Sequence, residues 1–65
     1  MIVTVNDKQI EVDPTTTIAA LIDSLGYPDR GIAVSLNWSV LPKSDWQQTL
    51  CDGARLEVLT AVQGG

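Results

Sequence analysis

Arg55-Leu56-Glu57-Val58-Leu59-Thr60-Ala61-Val62-Gln63-Gly64-Gly65 closes the sequence, and the reading of this run decides the fold. Leu56 and Val58 alternate with Glu57 and Leu59, as a strand with one buried face requires. The run then delivers two residues without a Cβ, whose backbones can lie extended in a channel too narrow for any other residue and present the last carboxylate to another protein. Upstream, Met1 to Val5 reads as a β-branched strand, Asn6-Asp7-Lys8 as a turn, and Gln9 to Val12 as a second strand, which together form a hairpin. Asp13-Pro14 breaks that pattern, and the hydroxyls of Thr15-Thr16-Thr17 can cap a helix starting near Ile18. Ile18, Leu21, Ile22 and Leu25 fall on one stripe, and Gly26 stands where a left-handed residue would end the helix.

Ile32 to Leu36 predicts a central strand with Ile32, Val34 and Leu36 inward. Asn37-Trp38 turns the chain into a short strand at Val40-Leu41, which Pro42 ends because it lacks a ladder donor. Ser44 is expected to cap one 3₁₀ turn through Asp45-Trp46-Gln47, and Asp52-Gly53 turns into the last strand. Two strands, a crossing helix and two or three further strands specify an α+β fold of the β-grasp type. It is a mixed sheet of about five strands with one main helix on one face. The first and last strands form a parallel pair in the middle, which requires a crossover such as this helix.

With 65 residues, 45% of them hydrophobic, the chain is expected as a single domain over 1–65, with 62–65 as a flexible C-terminal tail. The formal charge of −4, with Lys8, Arg30, Lys43 and Arg55 scattered, forms no basic stripe for nucleic acid. No apolar run approaches the roughly 20 residues that span a bilayer, and the start is unlike a secretory leader, so a soluble cytoplasmic protein is expected. One cysteine, Cys51, and no histidine leave neither an internal disulfide nor a zinc-site spacing, and metal is not expected. Without histidine, neither a Ser-His-Asp nor a Cys-His arrangement can be built from this chain, so it is not expected to be an enzyme.

The strand ending in Asn37, the run Leu41-Pro42-Lys43-Ser44-Asp45-Trp46, Asp52-Gly53, and Val58-Leu59-Thr60-Ala61-Val62-Gln63-Gly64-Gly65 carry a likeness in their order and spacing. Through them the chain resembles the ThiS sulfur carriers of thiamine biosynthesis, which are ubiquitin-like. Ala54, where the family often has a second aspartate, and Trp38, in a hairpin usually made of small polar residues, depart from the pattern. The resemblance implies that a ThiF-type adenylyltransferase joins the Gly65 carboxylate to AMP, and that sulfur then displaces AMP to leave a thiocarboxylate. Sulfur would come from a cysteine desulfurase or another donor, and a ThiG-type thiazole synthase would accept it. The ATP and magnesium belong to the adenylating partner, and the chain itself binds no cofactor.

Gly65 is therefore the candidate site of adenylation and thiocarboxylation, with Gly64, Gln63 and Val62 presented alongside it. The bland alternative, a chain end of no consequence, stands against this reading. Leu59 and Ala61 lie on the open sheet face if Leu56 and Val58 face the helix, and in ubiquitin-like proteins that face meets the activating enzyme. An exposed indole at Trp38 would suit a partner contact, whereas Trp46 reads as core and Cys51 as a small buried apolar residue. Rival destinations are a sulfur carrier for molybdopterin, a ubiquitin-like protein modifier, or a structural β-grasp binding module. Nothing in the pattern suggests self-association, so a monomer is expected when free.

Overall fold

The computed structural model describes residues 1–60. The element order is β1 (Ile2–Val5), β2 (Lys8–Glu11), α1 (Ile18–Ser24), β3 (Ile32–Leu36), β4 (Ser39–Leu41), a 3₁₀ turn (Lys43–Asp45) and β5 (Arg55–Thr60). The five strands form one sheet in the order β2-β1-β5-β3-β4. β1 and β5 run parallel, with Thr4 opposite Arg55 and Val5 opposite Leu56, and the other neighbours are antiparallel. The β-grasp reading is thus met, and β5 is the central strand.

Period-two alternation sorts the faces. Val3 and Val5 from β1, Val34 from β3 and Leu56 and Val58 from β5 are buried against Ile18, Leu21 and Ile22 of α1. Trp46, Leu50 and Ala54 close the same core from the loop side. Leu25, the fourth position of the expected helical stripe, is the C-cap and stays exposed.

The helix ends follow the sequence signals. Thr17 is the N-cap, its Oγ1 accepting the Ala20 N–H at 3.1 Å. Two further first-turn amides, those of Ile18 and Ala19, donate to the carbonyls of Gln48 and Trp46 at 3.1 and 2.9 Å, which ties the helix start to the 46–48 loop. At the other end Gly26 has φ +87°, its N–H donates to Asp23 and the Tyr27 N–H to Ile22, a Schellman closure. The expected Ser44 cap does not form. Pro42 takes the N-cap place of the 3₁₀ turn and Ser44 sits inside it, because the fixed φ of proline (here −62°) already sets the turn's direction.

Both hairpins turn through two consecutive residues with positive φ, Asn6-Asp7 (48° and 70°) and Asn37-Trp38 (49° and 72°). This geometry matches the right-handed twist of the flanking strands, and asparagine is among the residues that tolerate it.

Candidate functional site

β5 ends at Thr60, five residues before Gly65. The site residues Ala61, Val62, Gln63, Gly64 and Gly65, and with them the expected tail 62–65, lie outside the described residues. What the structure gives is the platform from which the chain continues toward them.

That platform has one covered face and one open face. The open face carries Arg55, Glu57 and Leu59 from β5, opposed by Ala33 and Ser35 of β3, with Val40 of β4 opposite Ser35. Leu59, next to the last residue of β5, is 69% exposed, and Val40, two strands away, is 81% exposed. A shallow depression is lined by Gly31, Ile32, Ala33, Leu59 and Thr60. The expected placement of Leu59 on the open face is met, because Leu56 and Val58 do point into the core.

Trp38 is 75% exposed, and the Arg55 guanidinium lies 4.7 Å from its ring centroid. Arg55 also donates to Asp7 Oδ1 at 2.6 Å and to Glu57 Oε1 at 3.1 Å. One guanidinium therefore joins the two hairpin turns to the start of β5, through charge-assisted bonds and a cation–π contact. Leu59 and Trp38 are not brought together. They mark opposite ends of β5, separated by roughly 13 Å along a strand that rises about 3.3 Å per residue.

The backbone of β5 is held by side chains as well as by strands. Asn37 Oδ1 accepts the Arg55 N–H at 3.0 Å. Asn6 Oδ1 accepts the Val58 N–H at 2.8 Å, and its Nδ2 donates to the Val58 carbonyl at 3.1 Å and to the Tyr27 hydroxyl at 3.2 Å. Turn chemistry in the sequence located both asparagines, but nothing local announced that their amides serve a strand so distant in the chain.

Cys51 is exposed and carries a free thiol, against the expectation that it is buried. Leu50 takes the core position, and the next side chain along the extended segment points the other way, as the pleat requires. Trp46 is buried as expected, beneath Lys43, whose Nζ stands 5.7 Å from the ring centroid and donates to the Asp29 carbonyl. The Asp13 carboxyl is held below its ordinary value, chiefly by the Thr15 backbone N–H and then by the Thr15 hydroxyl. Among the described residues no three His, Cys, Asp or Glu side chains are grouped to hold a metal ion, and no helix is long and apolar enough to cross a membrane.

The family model of the ThiS family matches residues 3–65, through the glycine pair and over all of the described sheet but Ile2. The chain belongs to the ThiS family. The crystal structure of a thiamine biosynthesis protein (ThiS) from Geobacter metallireducens superimposes with a TM-score of 0.79 at 30% identity, covering 100% of both chains. A solution structure of a thiamine biosynthesis protein from the same organism gives a TM-score of 0.76 at 30% identity, covering 100% of this chain and 88% of that one. A thiazole synthase from Paramagnetospirillum magneticum is 32% identical over 62 residues, which is 94% of this chain and 19% of that protein. The chain thus spans about a fifth of the length of that curated relative.

Proposed function

We propose that the chain is a sulfur carrier of thiamine biosynthesis whose Gly65 carboxylate receives the sulfur atom. The observation that carries this reading is the ThiS match running through residue 65, on a sheet whose central strand leads toward that residue. A carboxylate is a poor electrophile at neutral pH. A partner adenylyltransferase of the ThiF type, using ATP and magnesium, would therefore form the acyl-AMP and release pyrophosphate. A sulfur nucleophile, supplied by a cysteine desulfurase or another donor, attacks the acyl carbon and AMP leaves with the bonding pair. The acyl–S–S–donor disulfide so formed is then cleaved by a thiol reductant, which is itself oxidised to a disulfide as the donor leaves as a thiol, and a thiocarboxylate stands at Gly65.

With no histidine in the chain, acid-base chemistry falls to the partners, and this protein acts as their co-substrate rather than as a catalyst. The relative in which a similar segment forms part of a thiazole synthase favours that enzyme as sulfur acceptor. Leu59, with Ala33 opposite it, offers apolar contact area one residue before the end of β5, and Trp38 offers a second anchor at the other end of that strand. Gln63 and Val62, with Gly64 and Ala61, would occupy the partner's channel, where their role is positional.

Deleting Gly65 tests the reading in a cell that depends on this chain for thiamine. Loss of growth that thiamine restores is expected, and unimpaired growth would overturn it. Offering the thiocarboxylate form separately to thiazole synthase and to the large subunit of molybdopterin synthase tests the destination, and turnover by the first alone is expected.

A further inference from the structure

β1 ends where its hairpin turns, so the parallel ladder with β5 stops at Val5 opposite Leu56, and the Asn6 N–H makes one more bond to the Leu56 carbonyl at 3.0 Å. Two residues further on, Val58 presents an N–H and a carbonyl on a flank where β1 has no backbone left to offer. The Asn6 side chain fills that gap. Its amide supplies both an acceptor and a donor to Val58, in the way that a further strand residue would, and its Nδ2 also donates to the hydroxyl of Tyr27, whose own N–H completes the Schellman closure of α1.

Asparagine satisfies two demands at this one position. It tolerates φ 48° in the turn, and it carries the only neutral side chain of this length that can accept and donate at once. We propose that Asn6 is a positioning residue for the transfer chemistry: its amide, braced by Tyr27, fixes β5 at Val58 and so sets where the chain leaves the fold on its way to Gly65. This rests on the sulfur-carrier reading, and it assigns a role to a residue of the first hairpin turn whose side chain is engaged with the backbone of β5. The strand's other flank is held independently, by β3 through Ala33 opposite Leu59 and Ile32 opposite Thr60, so loss of the amide frees one side of β5 without abolishing the sheet.

The physical consequence is a cost moved onto binding. A partner's channel accepts one path for the terminal segment. If Val58 is no longer fixed, the backbone freedom of about one residue must be removed at docking, at about 1–2 kcal/mol, which is about a fivefold to thirtyfold effect on an equilibrium. The loss falls on KM for the carrier and leaves kcat unchanged, because the bound complex is the same.

Asn6→Gly is the informative variant, since glycine keeps the positive φ of the turn while removing the amide. Two measurements are made on wild type and variant. One is hydrogen exchange of the Val58 amide by NMR. The other is steady-state pyrophosphate release by the cognate adenylating enzyme as carrier concentration is varied. Faster Val58 exchange, a fivefold to thirtyfold rise in KM and an unaltered kcat are expected. Asn6→Asp keeps the acceptor for the Val58 N–H and loses the donor, so it is expected to fall between the two, and it serves in place of Asn6→Gly if that variant does not fold. An unchanged KM with a freed Val58 amide would overturn the proposal, as would an amide that exchanges as slowly as in wild type. If wild type itself releases no pyrophosphate, the sulfur-carrier reading has failed, and the exchange experiment still decides whether the clamp exists.

Discussion

Replacing Trp38 with glycine separates a residue kept for partners from one kept for the fold. Trp38 occupies the second turn position at φ 72°, where a residue with a Cβ pays about 1–2 kcal/mol that glycine does not. Against that relief stand two losses. The Arg55 guanidinium loses its ring contact, worth about 0.5–1 kcal/mol at so exposed a place, and the unfolded chain gains glycine's freedom, at about 0.5–1 kcal/mol. With the indole three-quarters exposed, little apolar burial is forfeited. The terms nearly cancel, so Trp38→Gly is expected to leave the folding free energy within about 1 kcal/mol of wild type, read as an unchanged urea midpoint and slope. Arg55 keeps Asp7 and Glu57, which holds the first turn to β5, and the Asn37 side chain keeps the Arg55 N–H, which holds the second. If the indole anchors a partner, its removal costs about 2 kcal/mol or more of binding, an effect of order thirtyfold on KM with the adenylating enzyme or thiazole synthase. A stability loss above about 2 kcal/mol with unaltered partner kinetics would refute the reasoning and make Trp38 a structural residue.

Leu56 is fully buried in the central strand, and Leu56→Ala is expected to cost about 2–5 kcal/mol, most of what a chain of this size possesses, so its thermal transition by circular dichroism should fall far below that of wild type. Thr17→Ala removes the side-chain acceptor at the start of a helix only seven residues long, with an expected loss of about 1 kcal/mol and faster exchange of the Ala20 amide. Asp13 is expected to titrate below the usual value of about 3.9 when followed by NMR. Because its folded value is the lower one, its stabilising contribution is complete above that ordinary value and is lost as pH falls through the folded value. Thr15→Ala, which removes the hydroxyl donor, should move the titration upward.

Much of this architecture is local enough to read from the chain. The alternation through Leu56 and Val58, the stripe from Ile18 to Ile22, the Thr17 cap, the Gly26 stop and the two Asn-led turns each follow from spacing or backbone preference, and together they leave the β-grasp as the consistent arrangement. The misreadings have a common origin in tertiary placement. Cys51 is apolar enough to be buried, but it alternates with Leu50 across a loop where only one of the two can face the core. Ser44 has the chemistry of a cap, but Pro42 comes first and sets the turn. Leu25 keeps the helical period yet falls where the backbone is already leaving the helix.

The candidate site divides along the same line. Leu59 could be placed on the open face by parity alone, and Trp38 could be placed in a turn. The Arg55 bridge between the two hairpins and the Asn6 grip on Val58 join residues 48 and 52 positions apart, and only the folded sheet brings them together.

The most direct test of the central claim is the intact mass of the chain after incubation with its adenylating enzyme, ATP, magnesium and a sulfur donor. The sulfur-carrier account predicts a product heavier by the difference between sulfur and oxygen, localised by fragmentation to Gly65 and absent when ATP is withheld. A chain that gains no such mass while the enzyme is demonstrably active, or that gains it anywhere other than Gly65, would contradict it.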